Sequence, residues 1–227
     1  LMREQCCYRP PLDLVDLFLE LAERNGMNFY FGLYDSGEYA CRQDFTKEID
    51  LSRHVEEEAW RRYGSRRAFR GWYLNFEVSR SLAGVVGQYA ALGRFVKALS
   101  GDLPTMISPF IDGHKAIDVN DQALTRERSV SPDDHEREWD EILAGIEGAV
   151  DIVAFQDGHC DYHELEEYLR INNRLADRHG MESWTNCESF DRDMPIKFLP
   201  IKWEKMLLKL EAARRAGFYA FPSCHPV

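Results

Sequence analysis

Two short apolar runs, WYLNFE and ESWTNCE, each end on a glutamate, Glu77 and Glu188, and each carries an asparagine two residues earlier, Asn75 and Asn186. Side chains alternate across a strand, so each Asn and its Glu point to the same side. Glutamate is a poor turn former, and chain reversal alone gives no reason for it at these ends. Two carboxyls flanking one bond are what glycoside hydrolysis needs. One protonates the leaving oxygen, and the other attacks the anomeric carbon or activates a water. A buried ion pair or a helix cap is the competing reading of the same two residues.

Three more strand-like runs end at Asp35, Asp112 and Asp157. With the glutamates they would form an acidic rim, with Asp157 standing in as a catalytic carboxyl should Glu77 prove structural. Asp is also a common turn former, and Asp112-Gly113 and Asp157-Gly158 read as turn dipeptides, so Asp35 and Asp112 are expected in turns or caps. Beside the rim, Asn75, Gln156 and Asn186 could hydrogen-bond sugar hydroxyls. The rings of Trp184, Trp72 and Tyr34 could stack on a sugar, although core filling is the commoner duty of a large aromatic residue. Trp184 shares a strand side with Asn186 and Glu188 and is expected to point inward.

The segment Asp157-Gly158-His159-Cys160-Asp161-Tyr162-His163 raises the question of a metal. It lacks HxH, HExxH and paired CxxC spacing and reads as a loop entering a helix, so neither a metal nor any other cofactor is expected. Asp161 is expected to cap that helix and His163 to face solvent. A metal-dependent hydrolase or lyase remains an alternative, with ligands from His159, His163 or Asp157 and with His114 and His225 within reach from neighbouring loops.

The elements that must position these groups repeat along the chain. Runs rich in β-branched and aromatic residues recur at Asn28–Tyr34, Trp72–Glu77, Thr105–Ile111, Val150–Gln156, Glu182–Glu188 and Phe218–Ser223. Their starts lie about 30 to 45 residues apart, the length of a strand plus a crossover helix. Between them lie amphipathic segments: Leu14, Leu17, Phe18 and Leu21 fall on one helix face, and Trp203, Leu207 and Leu210 on another. Asp13 is placed to cap the first. Gly26, Gly64, Gly101, Gly148, Gly180 and Gly217 each follow a helix as a left-handed cap would. Alternating β and α elements with apolar strands imply a parallel sheet buried on both faces. No GxGxxG or GxxxxGK[ST] follows a strand, which favours a closed barrel over a nucleotide-binding open sheet. The fold class expected is therefore α/β, a (β/α)8 TIM barrel over residues 1–227 as a single domain. Six strands are legible where eight are needed. The first strand, first helix and second strand are then absent from this sequence, with a six-stranded barrel as the alternative.

The motifs GWYLNFE, MISPF, VDIVAFQDG and WTNCESF resemble a family of bacterial glycoside-hydrolase-like TIM-barrel domains of unknown function, some of which carry an α-L-fucosidase assignment. The resemblance runs from about Asn28 onward and implies a (β/α)8 fold acting on glycosides. Across the wider clan of retaining barrel glycosidases, it implies an acid/base after the fourth strand and a nucleophile after the seventh. Counting the legible strands from three, those positions are Glu77 and Glu188. Asn75 departs from the clan, whose asparagine immediately precedes its acid/base.

Composition excludes other classes. Thirty-nine acidic against 28 basic residues give a net charge of -11, the wrong sign for a nucleic-acid partner. Arg61-Arg62 and Arg66-Arg67 lie among glutamates as a solvated face. No run of about 18 apolar residues could span a membrane. The cysteines Cys6, Cys7, Cys41, Cys160, Cys187 and Cys224 are scattered without pairing, which leans toward a reducing, cytoplasmic compartment. A leader removed before Leu1 is the alternative, so localisation stays open. GxSxG is absent, which removes an α/β-hydrolase triad. The reading is a glycoside hydrolase with a carbohydrate substrate, the retaining mechanism favoured, and a carbohydrate-binding barrel without turnover as the first alternative.

Overall fold

The computed structural model describes residues 11–35, 45–80, 83–115, 127, 129–191 and 199–218. Its elements in chain order are α1 (Leu14–Arg24), β1 (Phe29–Gly32), α2 (Phe45–Tyr63), β2 (Phe69–Leu74), α3 (Val85–Ser100), β3 (Thr105–Ile107), α4 (Pro132–Ile146), β4 (Ile152–Gln156), α5 (Tyr162–Arg178), β5 (Glu182–Asn186), β6 (Phe190–Asp191), β7 (Leu199–Pro200) and α6 (Trp203–Arg215). Strands β1 to β5 form one sheet whose spatial order is the chain order, and β1–β2 and β4–β5 pair in parallel. A doubly wound sheet reverses its strand order at a switch point, whereas barrel winding always adds the next strand beside the last. The unreversed order is that of the TIM-barrel-like α/β fold. β6 and β7 form a separate antiparallel ribbon. Among the described residues no helix is long and apolar enough to cross a membrane.

Five of the expected runs contain strands. The sixth, Phe218–Ser223, lies outside the described residues beyond Phe218, as do Leu1–Pro10, Cys6, Cys7, Cys41, Cys224 and His225. β2 begins and ends three residues before its expected run. Gly71 is the reason: a Cβ there would lie 2.5 Å from the Pro104 carbonyl and the Tyr30 ring, so close packing rather than a chain break placed a glycine in the strand. Asn75 and Glu77 consequently fall in the connection after β2.

By contact density the chain divides into two units. The first comprises Leu1–Asn75, Ala83–Met106 and Gly148–Val150, and the second Phe76–Leu82, Ile107–Glu147 and Asp151–Val227.

The first unit is centred on Trp72, which has no exposed surface and packs its ring against Phe31, Trp60 and Phe69. Its indole N–H donates to Ser100 Oγ at 3.0 Å, which removes the cost of burying that donor. Asp13 caps α1 by accepting from the Asp16 amide, and it also accepts from the Tyr63 hydroxyl. The apolar stripe expected to bury α1 faces out instead: Leu14, Phe18 and Leu21 are exposed, and Leu19 with Ala22 turns inward. Gly64 departs from the cap expectation as well. Its φ is not positive, and it is glycine because a Cβ would meet the Trp60 ring at 2.5 Å.

The second unit is built on β4, β5 and the helices α4 and α5. Phe155 of β4 packs edge-on against Trp139 and tilts against His135, both from α4. The His135 Nε2–Asn172 Oδ1 pair at 2.7 Å joins α4 to α5, and burial depresses the imidazole to about 4, so it is neutral at pH 7. Replacing Trp139 with alanine would cost about 3–5 kcal/mol, as for aromatic cores generally. Because Phe155 faces the helices, Ala154 and Gln156 face the other side, and the register pairs them with Trp184 and Asn186. α6 reverses its expected face: Trp203 is 65% exposed and Leu207 also faces out, while Lys209, Ala212 and Ala213 are buried.

Candidate active site

The carboxyl ends of β4 and β5 carry a buried polar network, and Ser108, just past β3, is its hub. Its hydroxyl donates to the Ala154 carbonyl at 2.7 Å and accepts from Asn186 Nδ2 at 3.0 Å, and its carbonyl accepts from Gln156 Nε2 at 2.7 Å. Pro109 follows, and its carbonyl accepts the Gln156 amide at 2.8 Å. The loop after β3 is thereby sewn to the end of β4, and Gln156 and Asn186 are held on one sheet face.

One residue further, the network becomes ionic. Asp157 is 2% exposed, and its Oδ1 accepts from both Lys209 Nζ at 2.8 Å and the Glu188 amide at 3.0 Å. Lys209 Nζ also donates to the Glu188 carbonyl at 3.0 Å. Burial disfavours the ammonium most strongly. The Asp157 charge and hydrogen bond, then Cys187 and Glu188, outweigh it and hold Lys209 above its ordinary value. Burial first and the Asp157 charge next push the Cys187 thiol well up, so it is no nucleophile.

Glu188, 2% exposed, directs its carboxylate onto the backbone of Gly158. A Cβ on Gly158 would lie 1.9 Å from Glu188 Oε2. Gly158 does enter a turn, but its φ is not positive, and the glycine also makes room for the carboxylate. Asp112-Gly113 departs from the turn reading: neither residue lies in a turn, and a Cβ on Gly113 would approach Cys160 Sγ to 2.8 Å.

Glu77 is solvent-exposed, on a segment that its neighbours pin. The Val78 carbonyl accepts from the Phe110 amide at 3.0 Å, the Ser79 carbonyl accepts from Trp139 Nε1 at 3.3 Å, and Arg80 pairs with Glu138. Trp184 lies on the Asn186 face as expected, half-buried, with its indole N–H donating to Glu182 at 3.1 Å. Asp157, expected as a reserve catalytic acid, has its Oδ1 taken by the Lys209 ammonium and the Glu188 amide. In the first unit Trp72, expected against a sugar, is a core ring with no accessible face. Tyr34 is half-buried, and its carbonyl accepts from Ser52 Oγ at 3.0 Å. Asn75 keeps a buried Oδ1 with no hydrogen-bond partner.

The histidine cluster spreads out. His159 stacks on Phe110 and lies 3.8 Å from Asp112, while His114 Nδ1 is 3.4 Å from Asp161. Asp161 stands at the N-cap of α5 but makes no side-chain cap bond. The His163 side chain is largely exposed. Among the described residues, no three His, Cys, Asp or Glu side chains converge as a metal site.

Sequence reading missed Ser108, Lys209 and the role of Gly158. The available signal for Lys209 was its spacing from Ala212, Ala213 and Ala216, a stripe of small residues that lets α6 approach closely.

Comparison with known proteins follows the fold. A crystal structure of a protein from Bacteroides thetaiotaomicron VPI-5482, named a "putative alpha-L-fucosidase", superposes with a TM-score of 0.89 at 49% identity, covering 98% of this chain and 67% of that one. None of the curated proteins compared with the chain matches it. The family model described as "Domain of unknown function (DUF4434)" matches residues 1–221, and the chain belongs to that family.

Proposed function

We propose that the protein is a glycoside hydrolase, one TIM-barrel-like domain in which Glu188 is the nucleophile and Glu77 the general acid/base. The observation that carries this reading is the Glu188 residue: nearly buried, its amide and carbonyl tied to the Asp157–Lys209 pair, and its carboxylate seated in the space of the Cβ that Gly158 lacks. A group this constrained is preorganised, as a nucleophile must be. Gln156, Asn186 and Trp184, on the sheet face away from α4, would hold the sugar. The name of the Bacteroides relative makes α-L-fucosides the first substrates to try. In the retaining cycle Glu77 donates its proton to the leaving oxygen while Glu188 bonds to the anomeric carbon. Glu77 then takes a proton from the water that releases the sugar.

The test is hydrolysis of a panel of aryl glycosides, α-L-fucosides first, by the native chain and by Glu77→Gln and Glu188→Gln. Loss of activity in both folded variants supports the pair. Activity surviving in Glu188→Gln contradicts it, and an intact protein that binds sugars but cleaves none would be a carbohydrate-binding barrel.

A further inference from the structure

Of the five tryptophans in the chain, Trp60, Trp72, Trp139 and Trp184 are buried or half-buried, and Trp203 is 65% exposed. It is not a lone surface residue. Leu199, Leu207 and Leu208 are exposed as well, so four large apolar side chains face out between Leu199 and Leu208. A patch of this kind marks a contact more often than a scattered one does.

The backbone sets where the ring stands. The Ile201 amide donates to the Ser189 carbonyl at 3.0 Å, one residue past Glu188, and Pro200 pairs with Phe190. At the other end of α6, Asn173 Nδ2 donates to the Ala216 carbonyl at 2.8 Å, in the later half of α5. α6 therefore starts at the carboxyl ends of the strands and runs back beside α5. Trp203, its first residue, lies two residues past the Ile201–Ser189 bond, and chain reach keeps its Cα within about 17 Å of that of Glu188. On the helix surface it borders both Met206, whose Sδ is 3.5 Å from Cys187 Sγ, and the solvent-facing Leu207. Exposed Lys202 and Glu204 flank it in the chain.

We propose that Trp203 is a stacking platform for a sugar ring at least one unit removed from the bond that is cut, so that the substrate is an oligosaccharide or larger glycan. A pyranose offers a C–H face, which an indole covers, and a rim of hydroxyls, which flanking charged groups bind. The position at the start of α6, next to the loop that carries Glu188, favours a sugar over a protein contact, for which the outward Leu207 and Leu208 would suffice. The inference rests on the hydrolase reading only for the bond that is cut; the platform stands without it.

The experiment applies the native full chain, Trp203→Ala and Trp203→Phe to an array of monosaccharides and oligosaccharides, fucosylated glycans included. Calorimetry then gives the Kd of the best oligosaccharide. Trp203→Ala should weaken it by about tenfold and Trp203→Phe by less, with monosaccharide binding unchanged. In the native chain the same oligosaccharide should protect Trp203 from oxidation by N-bromosuccinimide, a readout that needs no variant. An oligosaccharide Kd unmoved in Trp203→Ala, equal losses for monosaccharide and oligosaccharide, an unprotected Trp203 or an array without a bound oligosaccharide each overturns the proposal. So does self-association of the native chain that Trp203→Ala abolishes, which would assign the ring to a second copy. Trp203-dependent glycan binding by a protein that cleaves nothing leaves this inference standing and removes the hydrolase reading. Cleavage of oligosaccharide and aryl glycoside with kcat/KM equal in native chain and Trp203→Ala does the reverse.

Discussion

Two buried polar clusters, one in each unit, are built differently. In the second unit, Ser108, Gln156, Asn186, Asp157 and Lys209 are joined by named hydrogen bonds, and the result is a fixed frame for one carboxylate. In the first, α2 turns Glu48, Ser52 and Glu56 inward at helical spacing, and Gln88 of α3 is buried as well. There, both carboxyl oxygens of Glu56 and both polar atoms of the Gln88 side chain lack a hydrogen-bond partner. Desolvation raises Glu56 to about 8, against a smaller opposing pull from Arg53. The lesson is that buried polarity marks a built site only where the groups are mated. Where they are orphaned it is a cost to stability, and Glu56 survives by holding its proton.

The contrast can be broken at several points. The largest effect is expected in Lys209→Met, which strands a buried Asp157 charge and should cost about 3–5 kcal/mol in urea unfolding, while Asp157→Asn/Lys209→Met, which removes both charges, should recover much of it. Next comes Gly158→Ala, whose new Cβ must displace the Glu188 carboxylate. Overpacking of about 1–3 kcal/mol is expected, with a loss of turnover larger than the loss of stability would explain. An active, unstrained Gly158→Ala would mean that the carboxylate does not need its seat.

The first unit should answer to pH instead. The folded value of Glu56 lies above the unfolded one, so its contribution is fully present below about 4.5 and is lost as pH rises through about 8. Across that window stability should fall by up to about 1.4 kcal/mol per pH unit, and Glu56→Gln should flatten the slope. A slope unchanged by that substitution would show that Glu56 titrates normally. The smallest effect is on the outer face of α6, where Leu207→Ser should move the unfolding midpoint by no more than about 0.5 kcal/mol.

That last prediction opposes the sequence pattern, and it shows what the pattern can and cannot carry. The five strands were legible because β-branched and aromatic runs fall at crossover spacing. The strand ends less so, since Asn75 and Glu77 continue the apolar run WYLNFE beyond the last ladder residue, Leu74. The terminal helices were read from their largest apolar residues. The face that α1 buries carries Leu19 and Ala22 instead, and that of α6 carries Lys209, Ala212 and Ala213. Asn186 and Glu188 could be assigned one side by alternation alone, whereas Gln156 joins Asn186 only through the register of β4 with β5. Lys209 could not be placed, since its partner Asp157 lies 52 residues away and no local spacing links the two. Gly158 was legible as a turn residue, but dipeptide chemistry cannot reveal that a carboxylate from residue 188 occupies the space of its missing Cβ.

The central claim, that Glu188 is the nucleophile of a retaining glycosidase, is tested most directly by trapping. The native chain would be incubated with a 2-deoxy-2-fluoro glycosyl fluoride of the best substrate sugar, digested, and mapped by mass spectrometry. The account predicts one covalent sugar on the peptide that contains Glu188, absent in Glu188→Gln. A label on any other residue, or none on an enzyme that turns the substrate over, would contradict it.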